Sequence, residues 1–472
     1  MIPKRLQFLV SPELPPAQLA PRFSDAGHQL FLVGGSVRDA FLERPVEDYD
    51  FATDARPDRV AEILGGWADA IYSVGATFGT IAARKDGRTV EVTTFRDEVY
   101  RDDSRKPRVT FSDRIEDDLA RRDFTVNAIA LPLMAMEPVD PFGGLADLAA
   151  KRLRTPVDPA MSFSDDPLRM LRLFRFQAVL GFDPDPVALG AVATMGDRLE
   201  IISAERIRDE LSKLLLAPEP RIALEGVVES GLADHFVPEL PTLAMEQDPH
   251  QRHKDVLAHT FAVVEQASPD LTLRLAALFH DIGKPDTRQF GPDGVSFHHH
   301  EVVGARMTRR RLQKLRYPKE MVEDVSQLVL LHLRPHTLKM GWTDSAVRRY
   351  VRDAGHLLGP LNELVRCDIT TANQRRRLEI TRGIDELELR IAELSELEEL
   401  AALRAPIDGH QVMEYLGIQP GPAVGEIMEV LLERRIEDGP YPEDEAYRLV
   451  RQWALDKGIS DPGQPPASEE EE

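Results

Sequence analysis

Apolar and polar positions alternate with a period of two along four short stretches in the first third of the chain. FLVGG (31–35), DYDFAT (48–53), GTIAAR (79–84) and TVEVTTF (89–95) are rich in β-branched and aromatic residues and are bounded by polar turns, which predicts strands. Between them, 37–42 behind a Gly-Gly turn and 59–64 behind Pro57 carry helical spacing. The pattern changes near residue 156. From there nearly everything repeats with a period of 3.6: 166–180, 204–216, 255–266, 271–280, 301–315 and 379–400 read as amphipathic helices. The expected fold class is α+β, with a mixed α/β head at 1–155, a helical neck at 156–245, a further helical domain at 246–385 and a helical C-terminal region at 386–472. Its acidic, low-complexity tail PPASEEEE (465–472) is expected to be disordered.

A length of 472 residues suits about three domains. Fifty-eight basic against 80 acidic residues give a net charge of −22, which excludes a uniformly basic surface but not a local basic patch. No apolar run approaches the ~20 residues of a membrane span, and no early segment has the build of a signal peptide. The single cysteine, Cys367, rules out an internal disulfide and fits the cytoplasm, the expected location. Nothing requires a protein partner.

The first chemistry lies at Gly34-Gly35-Ser36-Val37-Arg38-Asp39, behind the strand 31–33. Two glycines at a strand-to-helix turn let backbone approach a phosphate, and the helix start offers free N–H groups. Ten residues beyond Arg38, Asp48 and Asp50 share one strand face at i and i+2. They are either a polar strand end or a carboxylate pair for a hard cation such as Mg²⁺. Glu91, in a strand of alternating Val90, Val92 and Thr94, is either a third carboxylate or a solvated position. Arg121-Arg122-Asp123-Phe124-Thr125-Val126-Asn127-Ala128 adds guanidinium forks for phosphate and polar groups for ribose. In Asp166-Pro167-Leu168-Arg169-Met170-Leu171-Arg172-Leu173-Phe174-Arg175, helical spacing puts Asp166, Arg169 and Arg172 on one face, as a base-reading edge or a surface ion-pair ladder.

In this order and spacing the four elements resemble the class II tRNA nucleotidyltransferases, the CCA-adding enzymes, and the related bacterial poly(A) polymerases. Asp165-Asp166-Pro167-Leu168-Arg169 stands where that family commonly has Glu-Asp-x-x-Arg. Phe142-Gly143-Gly144-Leu145 and the 205–210 helix also resemble family motifs. The resemblance covers roughly 30–240 and implies a polymerase-β-like head and template-independent addition of CCA to tRNA from CTP and ATP. It implies catalytic Asp48 and Asp50 with Mg²⁺ on both, and the strand pattern adds Glu91 as the candidate third catalytic carboxylate. Gly34, Gly35, Arg38, Arg122, Asp123, Asn127, Asp166, Arg169, Arg172 and Arg175 would bind nucleotide, Asp166 and Arg169 reading the base. The polar stretch 96–111 corresponds to a loop with which the family switches towards A. Poly(A) polymerase activity is the alternative within the class.

A second group, His259, His280-Asp281 and Asp368, offers imidazoles and carboxylates for a divalent ion. It resembles the His…His-Asp…Asp pattern of the HD phosphohydrolases, with His299, His300 and His332 available for a second ion or for phosphate, and Lys284 for phosphate. The 298–301 and 342–344 stretches look most like actinobacterial members. An HD phosphohydrolase with a silent head is therefore a reading of a different class, opposed by the intact Asp48/Asp50 pair.

Between 305 and 319 there are seven basic residues and no acid, including Arg309, Arg310, Arg311 and Lys314. Arg348, Arg349, Arg352 and 375–377 add further clusters. These are the expected RNA phosphate contacts.

Overall fold

The computed structural model describes residues 6, 8–9, 11–46, 48–99, 108–245, 255–291, 294–335, 343–369, 374–398 and 404–464. The acidic tail, residues 100–107 of the expected switching loop and Trp342 lie outside them. The chain divides into two compact units. One comprises Met1–Glu265, Pro269–Arg274 and Arg310–Lys319; the other comprises Gln266–Ser268, Leu275–Arg309 and Glu320–Glu472.

The first unit opens with helix α1 (Pro15–Asp25), then strand β1 (Leu30–Val33), α2 (Gly35–Phe41), β2 (Tyr49–Thr53), α3 (Pro57–Gly65), β3 (Ala70–Tyr72), β4 (Thr80–Lys85) and β5 (Arg88–Thr94). A hairpin of β6 (Arg96–Val99) and β7 (Arg108–Phe111), then α4 (Ile115–Ala120) and β8 (Ala130–Pro132), complete the head. Six strands form one mixed sheet in the order β3-β4-β5-β2-β1-β8, with β2 and β5 parallel and the other pairs antiparallel. β1 is buried along its whole length, as a central strand covered on both faces must be. On β5, Val90, Val92 and Thr94 point into the core and leave Glu91 on the open face. Phe31, Val33, Ala52, Phe95, Ile115 and Leu119 form one core cluster.

The four predicted strands are all present, and α2 and α3 occupy the predicted helical stretches. Two strands of this sheet had no clear signal, and neither did the β6–β7 hairpin, which forms at the two ends of the aperiodic stretch 96–111 expected to be a loop. β3 is three residues long at the sheet edge, and β8 is too short to alternate.

Helices α5 (Gly144–Ala150) and α6 (Pro159–Asp165), separated by short strand β9 (Arg152–Leu153), lead into α7 (Leu168–Leu180). Strand β10 (Asp183–Pro184) then precedes α8 (Pro186–Met195), α9 (Ala204–Leu215), α10 (Pro220–Glu229) and α11 (Val256–Gln266). α7 begins two residues later than its periodicity suggests. Asp166 is extended (φ −141°, ψ 98°) because the ring of Pro167 disfavours helical backbone in the residue before it. Asp166 therefore does not share a helical face with Arg169 and Arg172, a correction to the spacing argument. The helix ends on Gly181 in the left-handed region (φ 67°).

The second unit contains α12 (Leu271–Phe279, shared with the first), α13 (Lys284–Thr287), the hairpin β11 (Arg288–Gly291) and β12 (Gly294–Phe297), α14 (His300–Lys314, also shared) and α15 (Lys319–Leu331). α16 (Asp344–Ala354), α17 (Leu358–Cys367), α18 (Gln374–Glu398), α19 (Gly409–Leu416), α20 (Pro422–Asp438) and α21 (Glu443–Asp456) follow. A separate apolar cluster, with Val412, Ile427, Leu431, Ala446 and Val450 fully buried, holds the last three together. The expected division between 385 and 386 falls inside α18, which is continuous there.

Candidate active site and candidate metal centre

Gly34 ends β1 and caps α2 with φ 71°. A Cβ at this position would stand 2.9 Å from Arg122 Nη1 and 3.7 Å from Asp50 Oδ2. Glycine is therefore demanded by backbone sign and by space together. Ser36, buried in the first turn of α2, donates its hydroxyl to Asp48 O (2.9 Å) and accepts from the Asp50 N–H (3.2 Å). That hydroxyl ties the carboxylate segment to the glycine turn.

Asp48 is exposed just before β2, and Asp50 is half-buried within the strand. The parallel register places Asp50 directly beside Glu91. Burial, followed by Asp48, pushes the Asp50 carboxyl above its ordinary range, while Arg122 partly opposes the rise. Glu91 is raised by burial, then by Asp50 and Asp48. Three carboxylates are thus held where their charges disfavour one another, the electrostatic signature of a cation site.

Beside them opens a cleft of about 540 Å³ that Asp50 and Glu91 line together with Gly34, Gly35 and eight arginines. The arginines are preset by buried acids. Asp118, on α4, receives Arg121 at 2.6 Å and Arg122 at 3.0 Å; burial opposes its charge, but the two guanidiniums hold its carboxyl below the ordinary range. Glu210, on α9, contacts Arg172 at 3.2 Å and Arg175 at 2.6 Å. Arg38 donates to Asn127 Oδ1 (2.8 Å) and to both oxygens of Asp39, and Arg38 and Arg175 lie over the Phe176 ring at 5.3 and 4.1 Å. Asp123 accepts from Asn127 Nδ2 (2.9 Å) and pairs with Arg172 (3.1 Å).

Asp166 and Arg169 both line the cleft but are engaged elsewhere. Asp166 accepts from Arg206 (2.8 Å), and buried Arg169 donates to Ser162 Oγ (2.8 Å), Ser162 O and Arg121 O. Ser36 and Asp118 had no role in the sequence reading, and Arg206 and Glu210 appeared there only as part of a helix motif. Nothing local marks them, because each acts on a residue at least three positions away, and Glu210 acts 38 positions away.

In the second unit, three buried histidines repeat one arrangement. Nδ1 of His280, His300 and His332 lies 2.7–2.8 Å from the carbonyl three residues earlier (Ala277, Phe297 and Val329). A carbonyl only accepts, so each Nδ1 carries a proton and each Nε2 is turned inward; burial opposes a charge on His280, but Asp281 raises that ring above its ordinary value. His280 Nε2 lies 3.2 Å from Asp281 Oδ2 and 3.7 Å from Asp368 Oδ1, and His300 Nε2 lies 3.4 Å from Asp281 Oδ1. Asp281, His300 and His332 bring one ligand atom each within 4.8 Å of the others. His332 Nε2 is buried without a hydrogen-bond partner among the described residues, and burial, then His280, lowers this ring to about 3. Burial opposes the charge of Asp281, but His280 and Lys284 (2.6 Å) hold it well below the ordinary range. His299 points to solvent, 82% exposed. His259 is buried on α11, in the first unit.

The expected RNA-contacting cations separate. Arg309, Arg310 and Lys314 are exposed. Arg311 is not a surface cation: it is buried, forked onto both oxygens of Glu239 and bonded to Phe236 O (3.0 Å). A helix turns 100° per residue, so adjacent basic positions cannot all face water. Arg348 is likewise buried and donates to Ile436 O, while Arg349 and Arg352 pair with Glu433 on α20.

Three family models match: the poly A polymerase head domain over 30–154, a probable RNA- and SrmB-binding site of polymerase A over 181–243, and the HD domain over 256–374. An A-adding tRNA nucleotidyltransferase of Deinococcus radiodurans is 35% identical over 436 residues, 90% of this chain and 95% of that protein. A CCA-adding enzyme of Streptococcus gordonii is 43% identical over 237 residues, 50% of this chain and 58% of that protein. The crystal structure of the Bacillus stearothermophilus CCA-adding enzyme in complex with CTP covers 94% of this chain and is itself covered to 99%, with a TM-score of 0.68 and 25% identity.

Proposed function

The chain belongs to the tRNA nucleotidyltransferase family, and from that membership we propose that it completes tRNA 3′ ends, adding C, C and A from CTP and ATP without a template. The observation that carries this reading is the register that sets Glu91 beside Asp50, at the edge of a glycine- and arginine-lined cleft. The mutual repulsion of these carboxylates fits a divalent ion. All the donors are oxygens, which suits Mg²⁺. Bound there, such an ion supplies Lewis-acid activation of the RNA 3′-hydroxyl and neutralisation of triphosphate charge.

The chain's own residues do the rest. Gly34 and Gly35 admit the triphosphate to the backbone at the start of α2. Arg122, Arg172 and Arg175, preset by Asp118 and Glu210, meet phosphate charge without reorganising. Arg38, Asp123 and Asn127, already bonded to one another, present a fixed polar rim to the ribose. Asp166 and Arg169 read the base after exchanging their bonds to Arg206 and Ser162, which makes nucleotide selection a conformational step.

A second reading, addition of A alone, is favoured by the full-length similarity to the A-adding relative. Extension of tRNA transcripts ending before CCA, or after CC, with each nucleotide alone and together separates the two. Ordered C, C, A products establish the first. Extension only of the CC-ended transcript with ATP moves the chain to the second, and long A tails move it to poly(A) polymerase.

In the second unit, His280, Asp281, His300, His332 and Asp368 hold a divalent metal, and the site hydrolyses phosphate esters at RNA ends. The inward, partnerless Nε2 of His332 supports the metal.

A further inference from the structure

The register continues the row of carboxylates beyond Glu91. Asp50 pairs with Glu91, Glu91 with Ala82 and Ala82 with Tyr72, across β2, β5, β4 and β3. Directly paired residues project from the same face of a sheet. Tyr72 therefore stands on the carboxylate face, three strand spacings or about 14 Å from Asp50. The alternate positions Ile81, Ala83, Val90 and Val92 are buried on the opposite face, whereas Tyr72 is 48% exposed. Arg84, two residues after Ala82 and so on the same face, is exposed, and its guanidinium has no partner among the described residues.

The sheet order gives this face a direction. Gly34, at the end of β1, and Arg122, which meets it, lie to one side of Asp50; β5, β4 and β3 lie to the other. Phosphoryl transfer keeps the attacking and leaving oxygens in line, on opposite sides of the phosphorus. With the triphosphate on the glycine and arginine side, the attacking RNA 3′-hydroxyl approaches over β5, and the nucleotides behind it lie over β4 and β3.

We propose that Tyr72 and Arg84 form the track for the single-stranded 3′ end of the RNA primer, Tyr72 stacking on a base upstream of the attacking ribose and Arg84 pairing with a backbone phosphate. The proposal rests on the nucleotidyl-transfer reading above. Stacking suits this task because every base has a π-face, and the terminal base of the primer changes with each addition. Both are positioning residues and take no part in the chemistry.

Steady-state addition of one nucleotide to a tRNA transcript gives kcat and separate KM values for tRNA and nucleotide. Tyr72→Ala and Arg84→Ala are each expected to raise the KM for tRNA about tenfold, leaving kcat and the nucleotide KM within about twofold. Tyr72→Phe, which keeps the ring, restores the wild-type value. Arg84→Ala also lowers the slope of log KM for tRNA against log salt by roughly 0.7, one single-strand phosphate contact. An unchanged tRNA KM in both alanine variants overturns the track, as does a Tyr72→Phe variant as impaired as Tyr72→Ala, or a defect confined to the nucleotide KM. Absence of extension by the wild-type protein on every tRNA overturns the nucleotidyl-transfer reading itself, so the two failures are told apart.

Discussion

Asp50 carries a charge that the fold disfavours and the chemistry needs. Burial and then Asp48 raise its pKa in the folded chain, with Arg122 opposing. A carboxylate raised on folding weakens the native state above its folded pKa, and that penalty disappears as pH falls through it. Asp50→Asn is therefore expected to raise the melting temperature in metal-free buffer by roughly 2 °C while abolishing nucleotide addition. In that metal-free buffer the gain should shrink as the pH falls towards the ordinary carboxylate range, where the wild-type carboxyl is protonated as well. A variant that melts lower than wild type, or a gain that grows in acid, contradicts this account. Asp118 stands under the opposite sign: Arg121 and Arg122 overcome its burial and lower its pKa, so its stabilisation exists above the unfolded value and is lost only in acid.

Helix α14 shows how one element divides its charges. Arg309 and Arg310 face water, while the next residue, Arg311, turns inward onto Glu239. Removing one partner of a buried ion pair leaves the other uncompensated, so Arg311→Ala should destabilise the protein by on the order of 3 kcal/mol in chemical denaturation. Replacing Arg309 and Arg310 together by alanine should cost little stability and instead flatten the salt dependence of tRNA binding. Equal stability losses in the two variants would show that the inward turn of Arg311 has no energetic weight. On α7, by contrast, Arg169, Arg172 and Arg175 all line the cleft, and Arg169 is tied back to Ser162 there.

At the scale of the whole molecule the two candidate sites belong to different compact units and are built from different chemistry, oxygen donors in the first and imidazoles beside carboxylates in the second. Metal content and nucleotide addition should therefore separate. His280→Ala combined with Asp281→Ala is expected to remove tightly bound metal from the purified protein, measured by elemental analysis, and to leave the nucleotide KM for addition unchanged. Asp50→Asn should abolish addition and leave that metal in place. Equal metal content in wild type and the double variant would rule out the imidazole site.

Much of the first site was legible in the chain because phosphate chemistry is assembled from short local pieces. A glycine turn before a helix, two aspartates at strand spacing and an arginine octet announce themselves within about eight residues each. The alternation at 89–95 fixed that Glu91 leaves the core, and the His280-Asp281 pair ending an apolar helix marked the second site. Other decisions belonged to the tertiary structure alone. Periodicity tells which face of an element is apolar, but not which neighbour it meets. The pairing of Asp50 with Glu91 comes from a parallel register 41 residues apart in sequence, and the row that ends at Tyr72 needs three such pairings in succession. Ser36, Glu210 and the inward turn of Arg311 likewise depend on partners that only long-range packing brings within hydrogen-bonding distance, and the strength of each contact falls off within a few ångströms.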